Sequence, residues 1–327
     1  MSATVRWVAG KVGTSALTLL FVLVFNFFLF RLLPGDAVKS YTRGRQIDPQ
    51  QLAALRRSLH LDDSLWVQFW SYLRNPFNPE VLSLQFRQPV FSVIGDRVWP
   101  TVLLVGTSTI LATVFGTWIG IRGAWRAGSR FDRTATTISI VLYAMPEFWL
   151  GMLLLIAFSS GVGFLPGIFP SGGMSSVGVA TGTGAHLQDV LVHLTLPVTT
   201  LTLAYLAEYT LVMRSSLLDE LGSDYLVTAK AKGLRDGLVR RRHAVPNAML
   251  PTMTLIFLNL GFIIGGAITV ESVFSWPGLG QLTYQALRGP DVPLLQAIFL
   301  VISVGVVLAN LFADLLYGVL DPRVRTA

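Results

Sequence analysis

The sequence predicts an all-α integral membrane protein with six transmembrane helices, and three observations carry that reading. Of its 327 residues, 52% are hydrophobic and 13% charged, about half the charge of an ordinary soluble domain. The apolar residues fall into runs long enough to cross a hydrocarbon core of ~30 Å, which takes about 20 residues of helix. Lysine and arginine gather in alternate connections between those runs, the bias that orients membrane helices. Cysteine is absent, so neither disulfides nor cysteine-ligated metals are available, and His60, His186, His193 and His243 form no ligand-spaced pair. The net charge of +7 comes with no aromatic–basic module, which sets nucleic-acid binding aside.

The elements follow in order. Residues 1–33 hold the N-terminus and a first span, Val12–Phe30. Its uncharged run is longer than a typical signal-peptide core, and no small-residue cleavage site follows, so it reads as an uncleaved anchor. Residues 34–97 form an external loop in which Leu52, Leu55 and Leu59, then Trp66, Phe69 and Leu73, recur at helical spacing. They predict two short amphipathic helices, lying on the membrane surface or offering a docking face to an external partner. Residues 98–320 form the core: Val98–Ile121, Thr134–Phe158, Val190–Met213, Met249–Val270 and Val292–Leu320, with a tail at 321–327. The third span is interrupted by Pro146–Glu147 but long enough to cross. The loop that follows it is rich in glycine and serine and reads as irregular.

Within the spans, Gly116 and Gly120 stand four apart, a spacing that lets two helices approach closely. Glu147, Glu208 and Asp314 are ionisable groups at or near membrane depth, where charge is costly and faces a cavity or a partner. Glu208 and Asp314 lie near helix ends and read as paired or interfacial. Glu147 is deeper and follows the helix-breaking Pro146, so lining a pathway and a structural role both remain open.

Fifteen basic residues fall outside the spans on one side, against Arg288 alone in the two short loops opposite. This places both termini in the cytoplasm. The eight basic residues of the 64-residue first loop do not count against it, since long loops translocate largely regardless of charge.

The cytoplasmic insert 214–251, between the fourth and fifth spans, is the most informative stretch. Ser223 or Asp224 can cap a short helix. Tyr225, Leu226 and Ala229 share one face of it, Lys230 and Lys232 sit at its favourable end, and Gly233 supplies the turn. Such a helix fits a groove on another protein; a basic loop that only enforces topology is the other reading.

The motifs resemble those of membrane permeases of bacterial ATP-binding-cassette importers, in the dipeptide, oligopeptide and nickel branch. The insert is similar to that family's coupling motif through Asp224–Tyr225, Ala229 to Leu234 with its glycine Gly233, and the closing Leu250–Pro251. Further matches run along the chain: Leu33–Asp36, Leu61–Asp63 with Gln68 and Tyr72–Leu73, Pro146 with Phe148 and Gly151, His193–Pro197, Glu271–Gly280, and Asp314–Tyr317 through Asp321–Arg323. Two places depart from the branch. Pro246 stands where an arginine is usual, and Leu73–Pro89 lacks a glycine–aspartate turn.

The resemblance implies a type I importer permease fold, with a cytoplasmic coupling helix between the fourth and fifth spans. It implies half of a heterodimeric pathway for short peptides in the bacterial inner membrane. The implied partners are a second homologous permease, two cytoplasmic ATPases and an extracytoplasmic substrate-binding protein. Nickel chelates or another small solute are the alternative cargo. By the same resemblance Asp224, Tyr225, Leu226, Ala229, Lys232 and Gly233 couple to the ATPase, while Pro146 and Glu147 are candidates for the pathway. The chain lacks a phosphate-binding Gly-x-x-x-x-Gly-Lys-[Ser/Thr] loop, so ATP would be bound and hydrolysed by partners and this subunit is no enzyme. An ion-coupled carrier or channel built on Glu147 is the rival class; a requirement for ATPase and binding protein would exclude it.

Because the chain has no cysteine, topology is testable by single substitutions. A cysteine at Ser129 or Ser223 is expected to resist an impermeant thiol reagent in intact cells, and one at Ser176 to react. Labelling of Ser223 from outside overturns the orientation.

Overall fold

A computed structural model describes residues 3–32, 50, 57, 62–161, 167–265, 267–289 and 291–320. The predicted helix around Leu52–Leu59, the Leu33–Asp36 motif and the tail 321–327 lie outside them. Among the described residues the chain is helical, with no named strand. It falls into two compact units. One comprises Met1–Thr101, Leu260–Ile268 and Pro277–Ala327; the other comprises Val102–Asn259 and Thr269–Trp276.

In the first unit, helix α1 (Ala3–Leu32) runs antiparallel to the last helix, Val292–Leu320. At one end Lys11 Nζ lies 3.0 Å from Asp314 Oδ2; at the other Asn26 Nδ2 donates to Ser303 Oγ at 2.9 Å. Asp314 is thus paired, as its place near a helix end predicted. Helix α2 (Leu65–Arg74) packs Phe69, Tyr72 and Leu73 against Phe27 and Leu300. Trp66, predicted for the same face, instead points outward and meets Trp70 edge-to-face. The missing glycine–aspartate turn has a substitute. Arg87 takes a positive φ of 55° in a hairpin that closes with Ser83 N donating to Gln88 O at 2.9 Å. A bulky residue adopts that conformation rarely.

The buried carboxylate of Asp291 secures this hairpin, accepting from Ser83 Oγ at 2.5 Å and Gln85 N at 3.0 Å. Its other oxygen accepts from Leu294 N, capping the last helix.

Helix α3 (Val90–Trp125) begins eight residues before the predicted span. The cause is packing: Val90, Val93 and Ile94 form a core with Leu279, Leu282, Leu294 and Ile298.

In the second unit the predicted span Thr134–Phe158 is two helices, α4 (Arg130–Ala144) and α5 (Glu147–Phe158), bent by 105°. The residue before a proline is pushed out of the helical region. Met145 accordingly takes ψ 130° and Pro146 ψ 133°, so the helix stops and restarts. Helix α6 (Gly184–Leu221) carries Pro197 within its length.

Glycines let α3 and α6 approach as the four-residue spacing predicted. A Cβ at Gly116 would lie 2.7 Å from Tyr209 Cβ, and one at Gly120 2.8 Å from Met213 Cβ. The Gly–Ser loop that follows α5 is strapped to the Glu271–Gly280 motif, where Gly173 N donates to the carbonyl of the buried Phe274 at 2.9 Å.

Arg214 on α6 forks onto Asp132 on α4, Nε to Oδ1 at 2.5 Å and Nη2 to Oδ2 at 2.9 Å. Asp132 is 2% exposed.

By length and composition, four described helices can cross a membrane, or five if the bent pair counts as one. The position of the fifth predicted span is held by a helix of 21 residues, Val245–Gly265.

Arg214 is only partly exposed, so removing the carboxylate leaves its charge poorly solvated, at a cost of about 1–3 kcal/mol. Asp132→Asn is therefore expected to lower the unfolding midpoint of the purified protein in denaturant. Arg214→Lys, which keeps the charge and loses the fork, is expected to cost less. Equal stability of Asp132→Asn and the native chain would remove the pair from the account of the fold.

Candidate functional site

The insert folds as predicted around a short helix, α7 (Asp224–Ala231), followed by α8 (Asp236–Val239), a π-helical turn at Arg240–Ala244, and α9 (Val245–Gly265). Ser223 occupies the N-cap position with extended backbone, but its side chain caps no amide. The C-terminal end is better built. Gly233 has φ 77°, its N–H donates to Lys230 O at 2.9 Å, and Leu234 N reaches Ala229 O at 3.4 Å. This is the left-handed closure that favours glycine. A Cβ at Gly233 would meet nothing within 4 Å, so the requirement is conformational and not spatial.

The two faces of α7 are the reverse of the expectation for Leu226 and Ala229. Both are buried in the protein's own core, among Met213 and Leu217 of α6 and Val239, Ala244 and Ala248 of the return limb. They cannot enter a groove on another protein while that cluster holds. The outward face consists of Asp224, Val227, Thr228 and Ala231, at helical spacing, with Lys230 and Lys232 beside it. Val227 is 63% exposed. No signal in the sequence singled out Val227, Thr228 and Ala231 as the open side.

Tyr225 lies at the edge between the faces and works as a clamp. Its hydroxyl donates to the Glu220 carboxylate at the end of α6 and accepts from Asn247 Nδ2 of α9 at 3.0 Å. Asn247 Nδ2 also donates to His243 O at 3.1 Å. Burial, and next the hydrogen bond to Glu220, push the Tyr225 pKa above its ordinary value. Glu220 and Asn247 were not read as functional from the sequence; their roles depend on where three separate segments meet. Pro246, the departure from the branch pattern, sits exposed in the first turn of α9, where proline is tolerated.

The pathway candidates lie at the break between α4 and α5. Pro146 holds the N-cap position of α5 and Glu147 is its first residue, half-buried. Among the described residues no basic side chain pairs with Glu147. On α6, Tyr209 is fully buried and accepts from Asn259 Nδ2 of α9 at 3.0 Å. No group of three His, Cys, Asp or Glu residues among the described residues could hold a metal ion.

Two family models match the chain. Residues 112–326 match the binding-protein-dependent transport system inner membrane component, and residues 4–104 match the N-terminal region of that membrane component. The chain is 34% identical to the dipeptide transport system permease protein of Escherichia coli, over 98% of both chains. It is 39% identical to the glutathione transport system permease protein of Salmonella choleraesuis, over 94% of this chain and 95% of the relative. The corresponding Pectobacterium atrosepticum protein is 38% identical over the same shares. With its apolar helices and clamped insert, the chain belongs to the family of binding-protein-dependent transport system inner membrane components, and is a membrane permease and not an enzyme.

Proposed function

We propose that this subunit forms half of the pathway of an ATP-driven importer for short peptides delivered by an extracytoplasmic binding protein. The observation that carries the reading is α7. It is anchored to the permease by Leu226 and Ala229 and clamped by Tyr225, yet it presents Asp224, Val227, Thr228 and Ala231 to the outside. A helix so built receives a partner on one side and passes its movement to α6 and α9 on the other. The partner is an ATPase, two of which serve a heterodimer of this chain and a second homologous permease. ATP is bound by those subunits, and this chain takes no cofactor. With α9 as a further crossing and the bent pair as one, the spans number six and both termini are cytoplasmic, in the bacterial inner membrane. The cargo follows from relatives named for a dipeptide and for glutathione, itself a short peptide. In this scheme Glu147, at a helix break and without a basic partner, lines the pathway beside Pro146.

Separate variants test the two halves of α7. Gly233→Val strains the turn by about 1 kcal/mol or more, and Val227→Glu changes the outer face. Each is expected to leave the permease inserted while lowering transport and substrate-stimulated ATP hydrolysis together. Ala229→Glu, which places a carboxylate in the buried cluster, is expected to reduce the amount of folded protein instead. A cysteine at Val227 or Ala231 should crosslink to one in the ATPase, and one at Leu226 should not. Normal transport by the Gly233 and Val227 variants, with no crosslink, would reduce the insert to a topological loop.

For Glu147, Glu147→Gln is expected to alter transport while assembly and ATPase binding stay intact. A fall in the amount of complex would assign Glu147 to structure, and a variant normal in both respects would take it out of the pathway.

A further inference from the structure

The π-helical turn that returns from the insert forms a basic cavity against α3. It measures about 390 Å³ and is lined by Trp118, Ile121, Arg122, Arg240, Arg241 and Val245. Three guanidinium groups thus border one space, and among the described residues no carboxylate pairs with them. Aromatic rings hold two of them in place. Arg122 Cζ lies 5.6 Å from the Trp118 ring centroid and 5.2 Å from that of Phe131, and Arg240 Cζ lies 5.7 Å from that of Trp125. Gathered like charges are unfavourable unless an anion answers them, and the guanidinium fork matches phosphate oxygens in pairs. A π-turn is also a rare backbone feature that recurs at functional positions.

The walls say which kind of phosphate. Above Arg122, α3 presents Ile110, Val114 and Trp118 on one helical stripe, all more than half exposed, within a segment long and apolar enough to cross the membrane. Exposed tryptophan beside arginine at the end of such a segment marks the membrane interface. An apolar track therefore leads directly into a basic cavity, which is the outline of a two-part ligand with hydrocarbon tails and an anionic head. The acidic side chain of a partner protein would account for the arginines but not for the track.

We propose that this cavity binds the phosphate of an anionic phospholipid headgroup, with its acyl chains lying along Ile110, Val114 and Trp118. Bound there, the lipid bridges α3 and the π-turn, and so steadies the return limb on which Leu226 and Ala229 pack. Basic pockets of this kind on the cytoplasmic side of membrane helices take up anionic headgroups.

The test uses the assembled transporter in discs of phosphatidylglycerol and phosphatidylcholine at equal mole fraction, with retained lipid counted by native mass spectrometry. The native complex is expected to retain phosphatidylglycerol in preference. At about fivefold per arginine near the surface, Arg122→Gln with Arg241→Gln is expected to lower that preference tenfold or more. Arg126→Gln, outside the cavity, should leave it unchanged. Arg122→Lys keeps the charge and should retain most of the preference, which guards against misreading a folding defect. Equal retention of the two lipids, or an unaltered preference in the double variant, overturns the site. Displacement of the lipid by millimolar inorganic phosphate overturns the headgroup assignment in favour of a free anion. Loss of the ATPase from the double variant, with phosphatidylglycerol still held, would reassign the arginines to a protein contact.

Discussion

A polar group buried away from water must find its partner within the chain, because one left unpaired keeps its full desolvation cost. Much of this architecture answers that constraint. Asp132 is nearly inaccessible, and four donors meet it: both nitrogens of the Arg214 fork, the Gly128 amide at 2.9 Å and the Thr136 hydroxyl at 3.4 Å. One carboxylate thereby ties α4, the turn before it and α6 together. Asp291 does the same in the other unit, joining the 81–90 hairpin to the cap of the last helix. Hydroxyls in the long helices return to their own backbone, as Thr195, Thr199 and Thr200 do along α6. The chain can afford buried polar atoms because their partners are close and specific.

The same economy shapes the insert. An isolated helix of eight residues is far below the 12–15 or so that hold in water. Helix α7 therefore exists only because Leu226 and Ala229 are buried and Gly233 closes its end. Tyr225 adds direction to that attachment, since one hydroxyl bonds the end of α6 and the start of α9 at once. The end of α6, α7 and the start of α9 are thus held at one point.

Much of the fold was legible because composition and periodicity respond to the membrane directly. The helical spans, the break at Pro146, the close approach at Gly116 and Gly120 and the turn at Gly233 each have a local cause visible in the residues. What was not legible depends on partners remote in sequence. Asp132 and Arg214 are 82 residues apart, and neither is unusual in its own neighbourhood. The early start of α3 depends on a core formed with Leu279 and Leu294. In the site, Leu226 and Ala229 share one face as expected while Tyr225 lies at its edge, and that face meets the chain's own core. Periodicity reveals that a helix has an apolar side; it does not say whether that side packs on its own chain or on another.

That distinction bears on how α7 would act in the proposed function. A helix whose apolar side bound the partner would hang from its own chain by two flexible connections, and motion of the partner would be absorbed there. Here the apolar side holds α7 to α6 and the return limb, and the polar side with its lysines is left outward. An outward surface of small and polar residues suits contact with a separate protein, whose interfaces are about as polar as ordinary protein surface. Displacement of that surface must either move α6 and α9 with it or expose Leu226 and Ala229 to water. The second course costs of order 1.5–3 kcal/mol for the leucine alone, so under the proposed coupling the helices would follow.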